Sequence, residues 1–348
     1  MRRPADAPTS VVLDSLDAIA FGATPLVVDE TSGQLVTALH ERGATPQMWR
    51  RFADGDAAGE AWPPSAACSS AFVRLGKDRR ALAMALDAVA SVVASGGAIV
   101  LFGANAEGVK SAAKSLDVVA QDVVTVDTRR HSRVLAGTRR VEIDGLRGSL
   151  QAWREVHHVT FAGKTRPWVG YPGVFAGGGL DDGTALLLDH LPDLSARKQG
   201  TIVLDLACGT GIIAAVVRER YSNASVDLVD ADAVAVIAAR ENVAGATVIC
   251  GDGLAAAPRA RYDAILSNPP IHDGIEESLG FLERLIREAP THLAVGGVLQ
   301  VVIPSRIRAA AEWFAAAFAE TTTVALDRRF HVIRGTKGPG RPSRRAER

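Results

Sequence analysis

The sequence predicts an α/β protein made of two tandem Rossmann-like units, each built on a mainly parallel sheet. Two observations predict this. Short apolar runs of strand length alternate with amphipathic segments of helix length along nearly the whole chain. The chain also has 348 residues, 47% of them hydrophobic, which is enough apolar material for two packed cores.

The first unit occupies residues 1–150, with its first ten residues expected to be loose. Apolar runs at 25–28, 72–75, 98–102 and 123–126 predict strands, and 82–94 predicts a helix between two of them. The longest apolar stretch, 81–104, contains Asp87 and the pair Gly96-Gly97. A spanning helix needs about 20 uninterrupted apolar residues, so the stretch reads as a helix, a glycine turn and a strand. The opening MRRPADAPTS carries charge with no apolar run after it, so no signal peptide is expected. Cys68, Cys208 and Cys250 lie far apart without CxxC spacing. They read as reduced thiols of a cytoplasmic protein and not as a zinc site, and no metal is expected.

Net charge is zero, so any attraction to nucleic acid must be local. One local excess lies in 129–170. Nine Arg and Lys stand against Glu142, Asp144 and Glu155 there, a net of +6, among Trp153, Phe161 and Trp168. Its last part, 151–170, reads as a basic linker or hairpin, and the whole as a candidate RNA-facing surface. A second excess lies in the tail, 337–348, where disorder is expected. Gly340-Arg341-Pro342 in that tail resembles an AT-hook, although a solubilising or RNA-attracting role is the favoured reading.

The second unit, 171–336, has strands at 201–206, 225–229, 247–250, 262–266 and 298–303, with helices at 211–220 and 233–242. Runs at 321–326 and 330–333 close it across the turn Asp327-Arg328-Arg329, giving seven strands.

Two stretches of this unit carry chemistry. In the first, Asp205-Leu206-Ala207-Cys208-Gly209-Thr210-Gly211, an apolar strand opens through a glycine turn into a helix. Glycine permits positive φ and close approach of backbone to ligand, and the helix start offers free N–H groups. Such a turn can serve a dinucleotide, a phosphate or S-adenosylmethionine, or be a structural strand–helix turn with no ligand. No Lys-Ser or Lys-Thr pair follows Gly211, which leaves a nucleoside triphosphate loop unsupported. Asp230 closes the next strand, 19 residues after Gly211, where an acid accepts from ribose hydroxyls. Asp252, in Cys250-Gly251-Asp252-Gly253, follows the third strand and could accept from an adenine amine. An Asp before Gly is also a common turn former.

The second stretch, Ser267-Asn268-Pro269-Pro270-Ile271-His272-Asp273-Gly274, follows the fourth strand. Two prolines remove two backbone donors and stiffen the chain. What remains is the Asn268 side chain and exposed carbonyls, which are acceptors. They suit a substrate offering two N–H groups from one nitrogen, an amide or a nucleobase amine. A nicotinamide cofactor would use the glycine turn and Asp230 but leaves this stretch unexplained.

Taken in order, LDLACGTG, Asp230, CGDG and SNPPIHDG resemble a class I S-adenosylmethionine-dependent methyltransferase. The nearest resemblance is to the ribosomal RNA small subunit methyltransferase C family and its large-subunit relative, which act on guanine N2. Tyr171-Pro172-Gly173-Val174-Phe175 with Gly179-Leu180-Asp181-Asp182-Gly183-Thr184 is similar to that family's entrance to the catalytic domain. Gly103-Ala104-Asn105-Ala106-Glu107-Gly108-Val109-Lys110-Ser111 is similar to its first domain, and Phe330-His331-Val332-Ile333-Arg334 to its closing strand. The resemblance implies that the first unit is a degenerate copy of the second, with Val27-Val28-Asp29-Glu30-Thr31-Ser32-Gly33 standing where the cofactor turn would be. It implies no cofactor there, and a structural and RNA-holding role for that half.

The resemblance also implies site roles. Phe175, Asp181, Thr184, Asp205, Ala207, Cys208, Gly209, Gly211, Asp230, Ala231, Gly251, Asp252, Gly253 and Asn268 would bind S-adenosylmethionine. Asn268, Pro269, Pro270 and Ile271 would form the catalytic stretch. His272, Asp273, Arg328 and Arg329 are substrate-side candidates. The family carries an aromatic residue after NPP, where its ring stacks on the target base, and this chain has Ile271, so either another ring substitutes or the substrate differs from the family's guanine. The expected function is methyl transfer to guanine N2 in 16S ribosomal RNA, by a protein able to act as a monomer. Methylation of 23S RNA, a protein glutamine or a small molecule are the alternatives within the fold. A non-catalytic ribosome-assembly factor is the alternative outside it.

Overall fold

A computed structural model describes residues 5–195, 200–271 and 276–339. The described chain divides into two compact units. The first comprises residues up to Phe52, Ala58–Glu155 and Tyr171–Val174. The second comprises Ala53–Ala57, Val156–Gly170 and the chain from Phe175 onward.

In chain order the first unit contains α1 (Ala7–Asp14), β1 (Pro25–Val28), α2 (Gln34–Glu41), β2 (Gln47–Trp49), β3 (Ser70–Arg74), α3 (Arg79–Val92), β4 (Ala98–Ala104), α4 (Val109–Val119), β5 (Ala120–Arg129) and β6 (Ser132–Arg139). Its six strands run β2-β1-β3-β4-β6-β5. The first four are parallel, and β5 and β6 are an antiparallel flap beside β4. The run expected at 123–126 lies within β5, an edge strand with two irregularities in its register. β2 and β6 carry too few apolar residues to stand out in sequence.

The chain then forms the two-stranded hairpin β7 (Glu155–Phe161) and β8 (Lys164–Gly170), α5 (Asp182–Asp189), β9 (Thr201–Leu206), α6 (Ile212–Arg220), β10 (Ala224–Asp230), α7 (Ala233–Asn242), β11 (Thr247–Cys250), β12 (Tyr262–Ser267), α8 (Glu276–His292), β13 (Leu293–Pro304), α9 (Ala309–Ala317), β14 (Glu320–Leu326) and β15 (Phe330–Thr336). The second sheet has seven strands in the order β11-β10-β9-β12-β13-β15-β14. Its first five are parallel, and β14 and β15 form the same kind of antiparallel flap. The expected pair of α/β units is therefore present, and among the described residues the first sheet has no counterpart of β11.

Both faces of the second sheet are covered, which is why its strands read as continuous apolar runs. Val203, Leu266 and Val302 face one core, where α6 and α7 pack. Their neighbours Leu204, Ile265 and Val301 face the other, where Leu282, Leu285, Ile286 and Ala289 form the buried stripe of α8. Each such leucine contributes about 1.5–3 kcal/mol by leaving water. The stretch expected as a linker, 151–170, largely forms the β7–β8 hairpin. Phe161 and Trp168 anchor it in the core of the second unit, edge to face at 5.1 Å.

The two units treat the turn after their first central strand differently. After β9 the chain turns at Ala207 with φ 56°, and Gly211 enters α6 with φ 89°. After β1 it turns at Asp29 with φ 53°, and Gly33 enters α2 with φ 72°. In the first unit the buried Glu30 carboxylate fills the turn. It accepts the Ser32 N–H at 2.7 Å and the Gly33 N–H at 2.9 Å. The backbone donors that a ligand would use there already have a partner in the chain itself.

Much of the basic excess in 129–170 has structural work. The Arg139 guanidinium donates to the Ala90 carbonyl at 2.9 Å, and Arg140 donates to the Asp117 carbonyl at 3.1 Å. Arg147 stacks over Trp153 at 3.9 Å. Arg166 lies over Phe161 at 4.2 Å and pairs with Glu219 at 3.1 Å. Among the described residues no helix is long and apolar enough to cross a membrane.

Candidate active site

β9 and β12 run side by side at the centre of the second sheet, and the site grows from their carboxyl ends. The Ser267 hydroxyl donates to the Leu206 carbonyl at 2.7 Å and ties the two ends together. Asp205 is fully buried. One of its oxygens accepts the Ala214 N–H in the first turn of α6 at 2.9 Å, and the other has no hydrogen-bond partner among the described residues. Burial pushes the Asp205 carboxyl well above the usual carboxylate range, against the Ala214 hydrogen bond, and the charge of Asp230 adds to the rise.

The glycine turn is held from outside. The Trp168 indole donates to Thr210 Oγ1 at 2.9 Å, and the Asn242 amide donates to the Thr210 carbonyl at 3.1 Å. Asn242 also exchanges two hydrogen bonds with the Val169 backbone, at 2.8 and 2.9 Å. The hairpin and α7 together brace the turn. Gly211 is needed for packing, since a Cβ there would lie 2.7 Å from Val243 Cγ2. Gly209 differs, because a Cβ there would meet nothing within 4 Å among the described residues, which leaves room for a ligand at the turn. Cys208 is buried, and burial pushes its thiol well up, so it reads as packing.

Asp230 follows at the end of β10. One carboxylate oxygen accepts the Gly209 N–H at 2.7 Å and the other the Asp232 N–H at 2.8 Å. A carboxylate oxygen can accept more than one hydrogen bond, which suits this position to a hydroxyl as well. The Gly251 N–H donates to the Asp230 carbonyl at 2.9 Å, which brings the next loop alongside. Asp252 in that loop accepts the Gly55 N–H at 3.3 Å, and the Ala231 carbonyl accepts the Ala53 N–H at 2.8 Å. Gly55 and Ala53 belong to the short segment counted with this unit, which nothing in their sequence announces. The open turn, the Asp230 carboxylate and Asp252 suit S-adenosylmethionine, whose nucleoside offers two hydroxyls and one amine. Among the described residues no cluster of His, Cys, Asp or Glu could hold a metal ion.

Asn268 lies just beyond β12. Its amide nitrogen donates to both Asp181 oxygens, each at 3.2 Å, and contacts Thr184 Oγ1 at 2.9 Å. Asp181 also caps α5, accepting the Gly183 and Thr184 N–H groups at 2.9 and 3.2 Å. Its other oxygen takes the Thr184 hydroxyl. A carboxylate has no proton to give, so the NH2 group of Asn268 must face it and Oδ1 must point elsewhere. Asp181 and Thr184, expected beside the cofactor, thus reach the Asn268 amide.

Pro269 is buried and Pro270 exposed, while Ile271 is half-buried against the core beside α8. Phe175 is exposed, in a turn where Ala176 has φ 54°. Arg328 is exposed. Arg329 pairs with Asp182 in the first turn of α5. His272 and Asp273 lie outside the described residues, as does the tail from 340.

Family models match this layout on both units. The Methyltransferase small domain matches residues 167–334, and the Methyltransferase small domain N-terminal matches 25–146. A protein named Ribosomal RNA small subunit methyltransferase C from Pseudomonas fluorescens is 36% identical over 249 residues, covering 70% of this chain and 72% of that protein. The chain belongs to the ribosomal RNA small subunit methyltransferase C family. The protein of that name from Stutzerimonas stutzeri is 34% identical over 292 residues, with 81% of this chain and 84% of the relative covered. A solved structure described as T. thermophilus 16S rRNA N2 G1207 methyltransferase (RsmC) in complex with AdoMet and guanosine shares the fold. Its TM-score is 0.79 at 22% identity, covering 94% of this chain and 91% of that one. Both sheets of this family member are accounted for by that likeness.

Proposed function

We propose that this chain transfers a methyl group from S-adenosylmethionine to the exocyclic N2 of a guanine in small-subunit (16S) ribosomal RNA. The observation that carries the reading is the Asn268 amide, turned by Asp181 so that its oxygen is left to accept. Family membership and the names of the relatives support the RNA substrate. A ribosomal substrate implies cytoplasmic action, and the two fused units suit a working monomer.

An exocyclic amine on a purine is a poor nucleophile because its lone pair is delocalised into the ring. Asn268 Oδ1 accepts one N–H of that amine and the Pro269 carbonyl accepts the other. This favours a pyramidal nitrogen and localises the lone pair. The same two acceptors stabilise positive charge as it develops on nitrogen. S-adenosylmethionine, when bound, supplies an electrophilic methyl group on a sulfonium that is its own leaving group. Asp230 holds its ribose, Asp252 its adenine amine and the open face of Gly209 the backbone approach. The chain's main work is alignment, and the acidic product ammonium loses its proton to water without a strong base. Because N2 lies on the pairing edge, the base must be extruded or unpaired to reach Asn268.

The test is tritiated-methyl transfer to separated small and large ribosomal subunits, and to their naked RNAs, from cells lacking the gene. Label confined to 16S RNA and recovered as N2-methylguanosine is the expected result. Label in 23S RNA, in a protein or in none of these would reject the reading.

A further inference from the structure

We propose that Phe330 is the aromatic platform on which the target base stacks, and that it sets the preference for a purine. The inference rests on the guanine-methylation reading above and names the residue that recognises the base. An extruded base leaves its own stack and needs a flat apolar surface in return. Ile271, the last side chain of the catalytic stretch, is aliphatic and half-buried against the core. It offers one edge of apolar contact and no ring.

The sheet register puts Phe330 at the same end of the sheet as Asn268. Ser267, the last residue of β12, pairs with Val301 of β13. Three residues on, Pro304 pairs with Phe330, the first residue of β15. β15 runs antiparallel to β13, so it begins where β12 and β13 end. Phe330 is therefore two strands from the Asn268 strand, a lateral distance of roughly 10 Å. A purine reaching from one position to the other spans most of that gap.

The ring is also fastened to the turn that grips Asn268. A Cβ on Gly183 would lie 3.3 Å from Phe330 Cε1, so the glycine makes room for the ring. Gly183 stands between Asp181 and Thr184, the two residues bonded to the Asn268 amide. The ring and the catalytic acceptor thus share one support. Phe330 is half-buried, packed against the core, and keeps part of its surface in solvent. The Arg329 guanidinium stands 5.4 Å from its centroid and is tied to Asp182. Both of those charged groups are exposed, so the tie is weak and the guanidinium is free to move aside for the base.

The test compares Phe330→Leu and Phe330→Tyr with the wild type, using methyl transfer to small ribosomal subunits, cofactor affinity by calorimetry and melting temperature. Stacking of a base on an aromatic predicts a loss of about tenfold or more in kcat/KM for RNA with leucine, and near-normal activity with tyrosine. Cofactor affinity should stay within about twofold in both. Ile271→Phe in the Phe330→Leu background should recover part of the loss, since it returns a ring to the base. If Phe330→Leu lowers the melting temperature, Phe330→Met, closer in volume, serves as the ring-free variant. Ring-free activity within twofold of wild type, or tyrosine as impaired as leucine, would overturn the inference. An inactive wild type would instead count against the function proposed above.

Discussion

The Asn268 amide nitrogen stands 3.2 Å from each oxygen of the Asp181 carboxylate, across 87 residues of sequence. In the proposed reaction that relationship would fix which end of the amide faces the substrate. Asp181→Asn separates this duty from helix capping, because Asn caps a helix about as well as Asp. The melting temperature should change little. Methyl transfer should fall by about tenfold or more, because two neutral amides can pair in either orientation. Kinetics and thermal melting on the same preparation check this.

Gly209 and Gly211 should respond differently to a methyl group. Both have positive φ, so each alanine carries a backbone cost of about 1–2 kcal/mol. At Gly211 the new Cβ also collides with Val243, and an overpacking cost of about 1–3 kcal/mol is added. At Gly209 it meets no atom of the described residues within 4 Å. Gly211→Ala should therefore show the larger fall in melting temperature. Gly209→Ala should remain folded yet bind S-adenosylmethionine at least several-fold more weakly. Equal cofactor affinity in Gly209→Ala and wild type would remove the ligand from that face of the turn.

Asp205 predicts a pH dependence of stability. Burial raises its carboxyl above the unfolded value, so the folded state holds its proton after the unfolded state has lost it. The contribution of Asp205 therefore falls as pH rises from about 4, the unfolded range, toward its folded value. Asp205→Asn lacks that slope, and its oxygen can still accept the Ala214 N–H. Its stability relative to wild type should grow between about pH 4 and pH 8, as read by denaturant unfolding at each pH. A difference independent of pH would contradict the assignment.

The cofactor half of the site was legible because its parts are local. β9, the glycine turn and α6 are contiguous, and Asp230 closes one strand and Asp252 closely follows another that apolar runs announce. Asn268 with its two prolines was legible for the same reason. The partners of these residues were not. Asp181 and Thr184 meet Asn268 only after α5 has packed over the sheet. The Trp168–Thr210 bond joins residues 42 apart. Gly55 and Ala53 reach Asp252 and Ala231 from a loop with no pattern of its own. Charge counting over 129–170 overstated the free positive charge, since Arg139, Arg140 and Arg166 hold carbonyls, a ring and a carboxylate within the fold. The flap strand β6 escaped notice because it carries arginines at both ends and only Val134 and Leu135 as large buried residues.

The most direct test of the central claim is single-turnover methyl transfer to small ribosomal subunits by Asn268→Ala, with cofactor saturating. Removing one preorganised acceptor from the reacting nitrogen should slow transfer by about 10²-fold or more, while S-adenosylmethionine still binds within several-fold of wild type. Transfer at a rate close to wild type would mean that the Asn268 oxygen does not accept from the amine, and the proposed chemistry would have to be abandoned.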